Sequence, residues 1–234
     1  MLPLVFAWLA ALAFAGSLAL FAYSYFVSFG VDAAGRAPFA ALLSPPALVN
    51  FGLFTAFALH HSLFARTGAK RLVRRYVPAS LERSVYTMVA SVLFVLVCLW
   101  WRPVDGMAWT LSGPWRMLGY TAQAIGVVVT LAGARALDFL ELAGVRQAMH
   151  VTTSHPLETG GVYGLVRHPL YFAWTLLVFG APDMTMTRLS FALISTGYLA
   201  IAIPFEERSL AETFGPAYAS YQKQVRWRML PGLW

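Results

Sequence analysis

Residues Gly160 to Trp174 read Gly-Gly-Val-Tyr-Gly-Leu-Val-Arg-His-Pro-Leu-Tyr-Phe-Ala-Trp, a glycine-broken polar approach followed by an apolar run. Pro169 suits the first turn of a helix, where its missing N–H costs nothing. Arg167 and His168 are therefore predicted at the mouth of a helix that enters an apolar medium. Two cationic side chains beside free backbone N–H groups make a site for a carboxylate or phosphate. Tyr163 and Tyr171 flank it with aromatic faces, which suit a cationic ligand group. The competing reading makes Arg167 and His168 interfacial anchors of a membrane helix.

A second group follows an apolar hairpin. Leu170 to Ala181 runs up, Pro182-Asp183 turns, and Met186 to Ile203 comes back, so Glu206-Glu207 should return to the depth of Arg167-His168. Carboxylates hold ribose hydroxyls or an amino group, Arg and His hold a carboxylate, and aromatic faces hold a sulfonium. That inventory matches S-adenosylmethionine. The bland reading of Glu206-Glu207 is a solvated helix end paired with Arg208 or Arg167. A third candidate is His61, at the end of an apolar block, with Arg83 at the start of the next. Histidine takes a proton near neutral pH, and a nearby arginine stabilises a thiolate. The competing reading has His61 cap a helix end and Arg83 pair with Glu82.

The elements that position these groups are membrane helices. The 234 residues are 59% apolar and 12% charged, with mean hydropathy +0.64, far from the quarter of charged residues in a soluble domain. The apolar blocks approach the roughly 20 residues that span a bilayer. Spans are predicted at Pro3–Phe29, Ala47–Phe64, Ser84–Trp101 and Trp115–Leu137, then the short hairpin. The uncharged start Met1–Val31 lacks the basic lead of a signal peptide. Gly119, Gly126 and Gly133 recur every seventh residue, on one helix face, which reads as close helix packing. Asp138 to Tyr163 is polar and broken. The fold class expected is an all-α polytopic membrane bundle with about six crossings. It is one domain, with a four-span scaffold and substrate side over 1–137 and a cofactor-binding core over 138–234.

Of the 17 Lys and Arg residues, only Arg36, Arg102, Arg116 and Arg188 fall opposite the basic loop Arg66–Arg83. The positive-inside rule then puts both termini, His60-His61, Arg83, residues 138–168 and Glu206 onward in the cytoplasm. The +7 charge is explained by this asymmetry and not by nucleic acid. Cys98 is the only cysteine, which excludes an intrachain disulfide and a Cys-x-x-Cys site. No Gly-x-Gly or Gly-Lys-Ser/Thr occurs, so dinucleotide and P-loop fingerprints are absent. Adjacent His60 and His61 point about 100° apart on a helix and make a poor metal pair; no metal is expected. The spans lack the single Glu or Lys of an ion pathway.

Gly161-x-Tyr163-x-x-x-Arg167-His168-Pro169-x-Tyr171, the hairpin, and Glu206-Glu207-x-x-Leu210-x-x-x-Phe214-Gly215-x-x-Tyr218-x-x-Tyr221 closely resemble the isoprenylcysteine carboxyl methyltransferase superfamily, which includes phospholipid N-methyltransferases. The resemblance covers the last third of the chain. It implies an S-adenosylmethionine site of Tyr163, Arg167, His168, Tyr171, Glu206 and Glu207 on a helical scaffold without a Rossmann fold. His61-Ser62-x-x-Ala65-Arg66, Glu82-Arg83-Ser84-x-Tyr86, Trp101-Arg102-Pro103 and Gly144-x-Arg146-Gln147 are similar to one branch, the bacterial methanethiol S-methyltransferases, which adds Gln147 to the cofactor residues. The segment 150–158, with His155-Pro156, departs from that pattern and is a candidate lining of the substrate entrance.

The expectation is a multi-pass enzyme of a bacterial inner membrane that carries the methyl group of S-adenosylmethionine to a small thiol such as methanethiol, giving dimethyl sulfide. His61, Arg83 and Glu207 are its candidate catalytic residues, and a thiol and the lipid bilayer its partners. Rival acceptors are a prenylcysteine carboxylate and a phospholipid amine. The rival from another class is a haem-handling or respiratory assembly protein, with His60, His61 and His168 as axial ligands.

Overall fold

The computed structural model describes residues 2–31, 35–64, 73–135, 138–151 and 156–234. Arg66, Lys70 and Arg71 of the basic loop, Leu137 and His155 lie outside them. The helices in chain order are α1 (Leu2–Phe26), α2 (Pro45–Phe64) and α3 (Glu82–Trp100); strand β1 (Met107–Thr110) follows, then α4 (Gly113–Ala134) and the one-turn α5 (Phe139–Leu142) and α6 (Val145–Ala148). Next come α7 (Pro169–Phe179), β2 (Asp183–Thr185), α8 (Met186–Phe214) and α9 (Pro216–Gln224). Among the described residues, five helices are long and apolar enough to cross a membrane: α1 with the turn after it, α2, α3 with the turn before it, α4 and α8. The sixth expected crossing is α7, whose 11 residues rise about 16 Å, about half of a hydrocarbon core.

The chain forms two compact units: α1, α2, α3, α5 and α6 in one, β1, α4, α7, β2, α8 and α9 in the other.

In the first unit α1 packs on α3, with Phe21 and Phe94 rings 5.7 Å apart, and α2 packs on α3 through Phe57 and Phe94. Asn50, fully buried in α2, exchanges hydrogen bonds with the backbone of Arg102, donating to its carbonyl and accepting from its N–H. The stretch from Asp138, expected to be polar and broken, folds into the short α5 and α6 and buries Ala143 and Val145 against Ala7 and Ala11 of α1. Asp138 caps α5 by accepting from the Leu140 and Glu141 N–H groups. Gly144 makes the turn in the left-handed region at φ 82°, and a Cβ there would meet Ser84 Oγ at 2.5 Å.

In the second unit the three glycines of α4 are buried and face α7. A Cβ at Gly119 would stand 2.8 Å from the Gly180 carbonyl oxygen, one at Gly126 2.9 Å from that of Ala173, and one at Gly133 3.0 Å from Leu170. Gln123 donates to the Leu177 carbonyl across the same contact. Gly126→Ala is expected to lower the melting temperature, because the new methyl meets backbone and overpacking costs about 1–3 kcal/mol. At Gly52 of α2 a Cβ would meet nothing within 4 Å, so Gly52→Ala should instead gain about 0.5–1 kcal/mol of helix propensity. Melting curves in detergent check the opposite signs, and equal shifts would remove the close-packing role.

A ribbon unforeseen in the sequence joins the two turns of this unit: β1 pairs antiparallel with β2, Met107 opposite Thr185 and Thr110 opposite Asp183, with an irregularity between Met107 and Trp109. Three or four residues are too few to display strand alternation. Thr185 then caps α8 by accepting from the Arg188 N–H. The returning helix, expected to stop at Ile203, continues through Pro204 to Phe214. It loses one hydrogen bond at the proline, while Glu206 to Glu212 supplies good helix formers. Gly215, at φ 53°, ends it, and Pro216 starts α9.

Candidate active site

The second unit brings Arg167, His168, Tyr171, Glu206 and Glu207 together. A 3₁₀ turn at Gly161–Gly164 and the buried Val166 deliver Arg167 and His168 to the start of α7, where Pro169 occupies the first turn. The C-terminal tail runs alongside: the Arg167 N–H donates to the Trp227 carbonyl at 2.9 Å and the His168 N–H to the Arg228 carbonyl at 2.8 Å. From α8, Glu207 reaches Arg167, whose Nε donates to Glu207 Oε1 at 2.6 Å. Each side chain is only 6% exposed. Arg167 Nη1 donates to the carbonyls of Val225 and Arg226, and Arg228 Nε stands 3.2 Å from Glu207 Oε2. Both oxygens of Glu207 thus face guanidinium groups, an arrangement that anchors and leaves little basicity for taking a proton.

His168 is buried and stacked on Tyr171, with ring centroids 5.3 Å apart and planes 13° from parallel. Its Nδ1 lies 3.4 Å from Glu206 Oε2 and its Nε2 3.5 Å from Glu207 Oε1. Tyr171 donates its hydroxyl to Glu206 Oε2 at 2.8 Å. Burial alone would lower the His168 pKa, but Glu206 and then Glu207 outweigh it and hold the imidazolium above the ordinary histidine value. Its charge therefore persists to higher pH than that of an ordinary histidine and fades as pH rises through the raised value.

Tyr163 joins the cluster less directly. Its hydroxyl donates to the Gly133 carbonyl at 3.4 Å, and its own carbonyl accepts from the Tyr221 hydroxyl at 2.7 Å. Burial, then the charges of Glu158 and Glu206, push the Tyr163 hydroxyl up. Sequence reasoning misses Arg228 and the tail carbonyls. Their only signal is Arg226-Trp227-Arg228 after the last helix.

The other candidate residues lie in the first unit. Tyr86 joins His61: its hydroxyl is 2.9 Å from His61 Nδ1 and donates to the His61 carbonyl at 3.1 Å. Tyr86 thereby holds the His61 ring from its Nδ1 side, with Nε2 at the opposite edge. The His60 ring stacks on Tyr86 with centroids 5.6 Å apart. Sequence neighbours Glu82 and Arg83 choose different partners: Glu82 pairs with Arg74 and Arg83 with Glu141 at 2.9 Å. Gln147 Oε1 accepts from the Arg83 N–H at 3.0 Å, satisfying one of the first-turn donors of α3. Gln147 is thus in the unit of His61 and Arg83, while the six other expected cofactor residues share the second unit. Among the described residues no group of three His, Cys, Asp or Glu side chains is arranged to hold a metal.

The fit of a donor such as S-adenosylmethionine rests on chemistry found in the second unit. Carboxylates, a stacked aromatic face and an imidazolium occupy one place. Two buried polar atoms there, His168 Nε2 and the Tyr218 hydroxyl, make no hydrogen bond with described residues.

Comparison with known proteins finds relatives over most of the chain. Methanethiol S-methyltransferase 2 of Bradyrhizobium diazoefficiens is 34% identical over 185 residues, covering 76% of this chain and 71% of the relative. Methanethiol S-methyltransferase of Mycobacterium tuberculosis is 33% identical over 80% of this chain and 79% of its own length. That of Pseudomonas deceptionensis is 35% identical over 80% and 73%. No protein-family model and no solved structure matches the chain.

Proposed function

The chain belongs to the methanethiol S-methyltransferase family, and from that premise we propose that it methylates the sulfur of a small thiol, methanethiol first of all, with S-adenosylmethionine as donor. It is a multi-pass membrane methyltransferase. The observation that carries the donor-side reading is the joining of Arg167-His168 to Glu206-Glu207 across the α7–α8 hairpin. The bound donor supplies an electrophilic methyl group on a sulfonium. The protein's part on that side is orientation: His168 and Tyr171 offer a charged donor and an aromatic face, Glu206 an acceptor. Arg167 and Glu207 hold that geometry, and Tyr163 lines it. Gln147, which supports the Arg83 backbone, acts through that helix start.

On the thiol side, His61 takes the thiol proton through Nε2, with Tyr86 holding its ring, and Arg83 favours the thiolate. The thiolate sulfur forms its bond to the methyl carbon as the old carbon–sulfur bond breaks. Dimethyl sulfide and S-adenosylhomocysteine leave, and the proton passes from His61 to water. Opposite charges are neutralised as the transition state forms, so a dry site favours it, and alignment of the two sulfurs about the carbon supplies much of the remainder. The enzyme sits in a bacterial inner membrane with both termini and these groups facing the cytoplasm, as the arginine asymmetry suggests. In this reading the first unit, with Glu141 and Gln147 supporting Arg83, serves the substrate and the second unit the cofactor.

The test is transfer of label from methyl-labelled S-adenosylmethionine by purified protein. Label should appear in volatile dimethyl sulfide when methanethiol is supplied. Label in phosphatidylethanolamine or in a prenylcysteine ester, with none in any thiol, would overturn the acceptor.

A further inference from the structure

Tyr218 sits on α9, 1% exposed, in a cluster with Tyr221 and Val225 that packs on Leu210 and Phe214 of α8. Leu210 and Phe214 are three and seven residues beyond Glu207, hence on its side of α8. The tyrosine lies near enough to the Arg167–Glu207 pair for both charges to act on it. Burial, then the charge of Glu207, pushes its hydroxyl up to about 12 against the opposing pull of Arg167. Yet by strict geometry the hydroxyl makes no hydrogen bond with a described residue, although the Arg167 guanidinium lies close by. Its neighbour Tyr221, buried as deeply, is satisfied by the Tyr163 carbonyl. A buried hydroxyl without a partner costs about 1–3 kcal/mol, a penalty that phenylalanine, with the same ring, would avoid. His168 Nε2 has the same character, buried beside Glu207 without a hydrogen bond. Two buried donors short of hydrogen-bond geometry therefore border the one Arg167–Glu207 pair.

We propose that Tyr218 and His168 Nε2 are ligand-facing donors that together hold the carboxylate of the methyl donor's amino-acid end. Two donors match a carboxylate's two oxygens, and charge assistance from the imidazolium strengthens the bond. The neighbouring Glu206, already holding the Tyr171 hydroxyl, supplies negative charge for the ammonium of the same amino acid. The inference rests on the S-adenosylmethionine reading above and adds Tyr218 to it.

The experiment is calorimetry on the whole protein in detergent with two probes: S-adenosylhomocysteine, and methylthioadenosine, which has the same nucleoside and no amino-acid end. Tyr218→Phe should weaken S-adenosylhomocysteine about tenfold and leave methylthioadenosine unchanged. Its melting temperature without ligand should stay level or rise, since no hydrogen bond within the protein is lost. Unchanged affinity for S-adenosylhomocysteine, or an equal loss for both probes, would overturn the role of Tyr218. So would a ligand-free protein that melts several degrees lower, which would give the hydroxyl a structural partner. A wild-type protein that binds neither probe would overturn the donor assignment itself, and this inference with it.

Discussion

Replacing His61 with alanine is expected to remove most methyl transfer to methanethiol near neutral pH and to return part of it in alkaline solution. A thiol of the cysteine type ionises at about pH 8.5 and simple alkyl thiols are weaker acids, so at pH 7 little thiolate exists unaided. A histidine can take up a proton near neutral pH, and a positioned general base contributes about 10²- to 10⁴-fold. The contacts between His61 and Tyr86 keep the ring in one orientation, as a base must be held. Rates measured from pH 6 to 10 in wild type and His61→Ala should converge as the thiol ionises by itself. Parallel profiles, with the same ratio at every pH, would remove His61 from proton transfer.

Arg167→Ala should be the most damaging single change in the second unit. The Arg167–Glu207 pair is buried on both sides, and removing one partner of such a pair costs about 3–5 kcal/mol. It also strips the donor from the carbonyls of Val225 and Arg226, so the tail that holds Arg167 and His168 by their backbones should loosen. The expected result is a melting temperature several degrees lower together with loss of S-adenosylhomocysteine binding. An apolar double replacement, Arg167→Met with Glu207→Leu, removes the unpaired buried carboxylate and should recover part of the stability, but only part, because the Val225 and Arg226 carbonyls still lack their donor and His168 and Arg228 lose Glu207. It should not recover binding if the pair positions His168. Wild-type melting and affinity in Arg167→Ala would reduce the arginine to an interfacial anchor.

The membrane bundle was legible because the requirement behind it is local and additive. Every residue of a span must be apolar enough, and the backbone must bond to itself inside the segment, so the blocks announce themselves by length. The meeting of Arg167-His168 with Glu206-Glu207 was legible for a related reason: a tight hairpin between two apolar runs returns the chain to its starting depth, and charges there must find one another. The glycine stripe of α4 followed from its period alone. None of this told Arg83 to choose Glu141 over its neighbour Glu82, or gave Glu207 a second arginine from the tail. Nor did it leave Tyr221 bonded and Tyr218 without a partner. Any carboxylate attracts any guanidinium with similar strength, so composition ranks no pairing above another. Distance and burial make the choice, since attraction falls with separation and grows as water is excluded. Both depend on side chains far apart in the chain, and only the packed structure specifies where those residues stand.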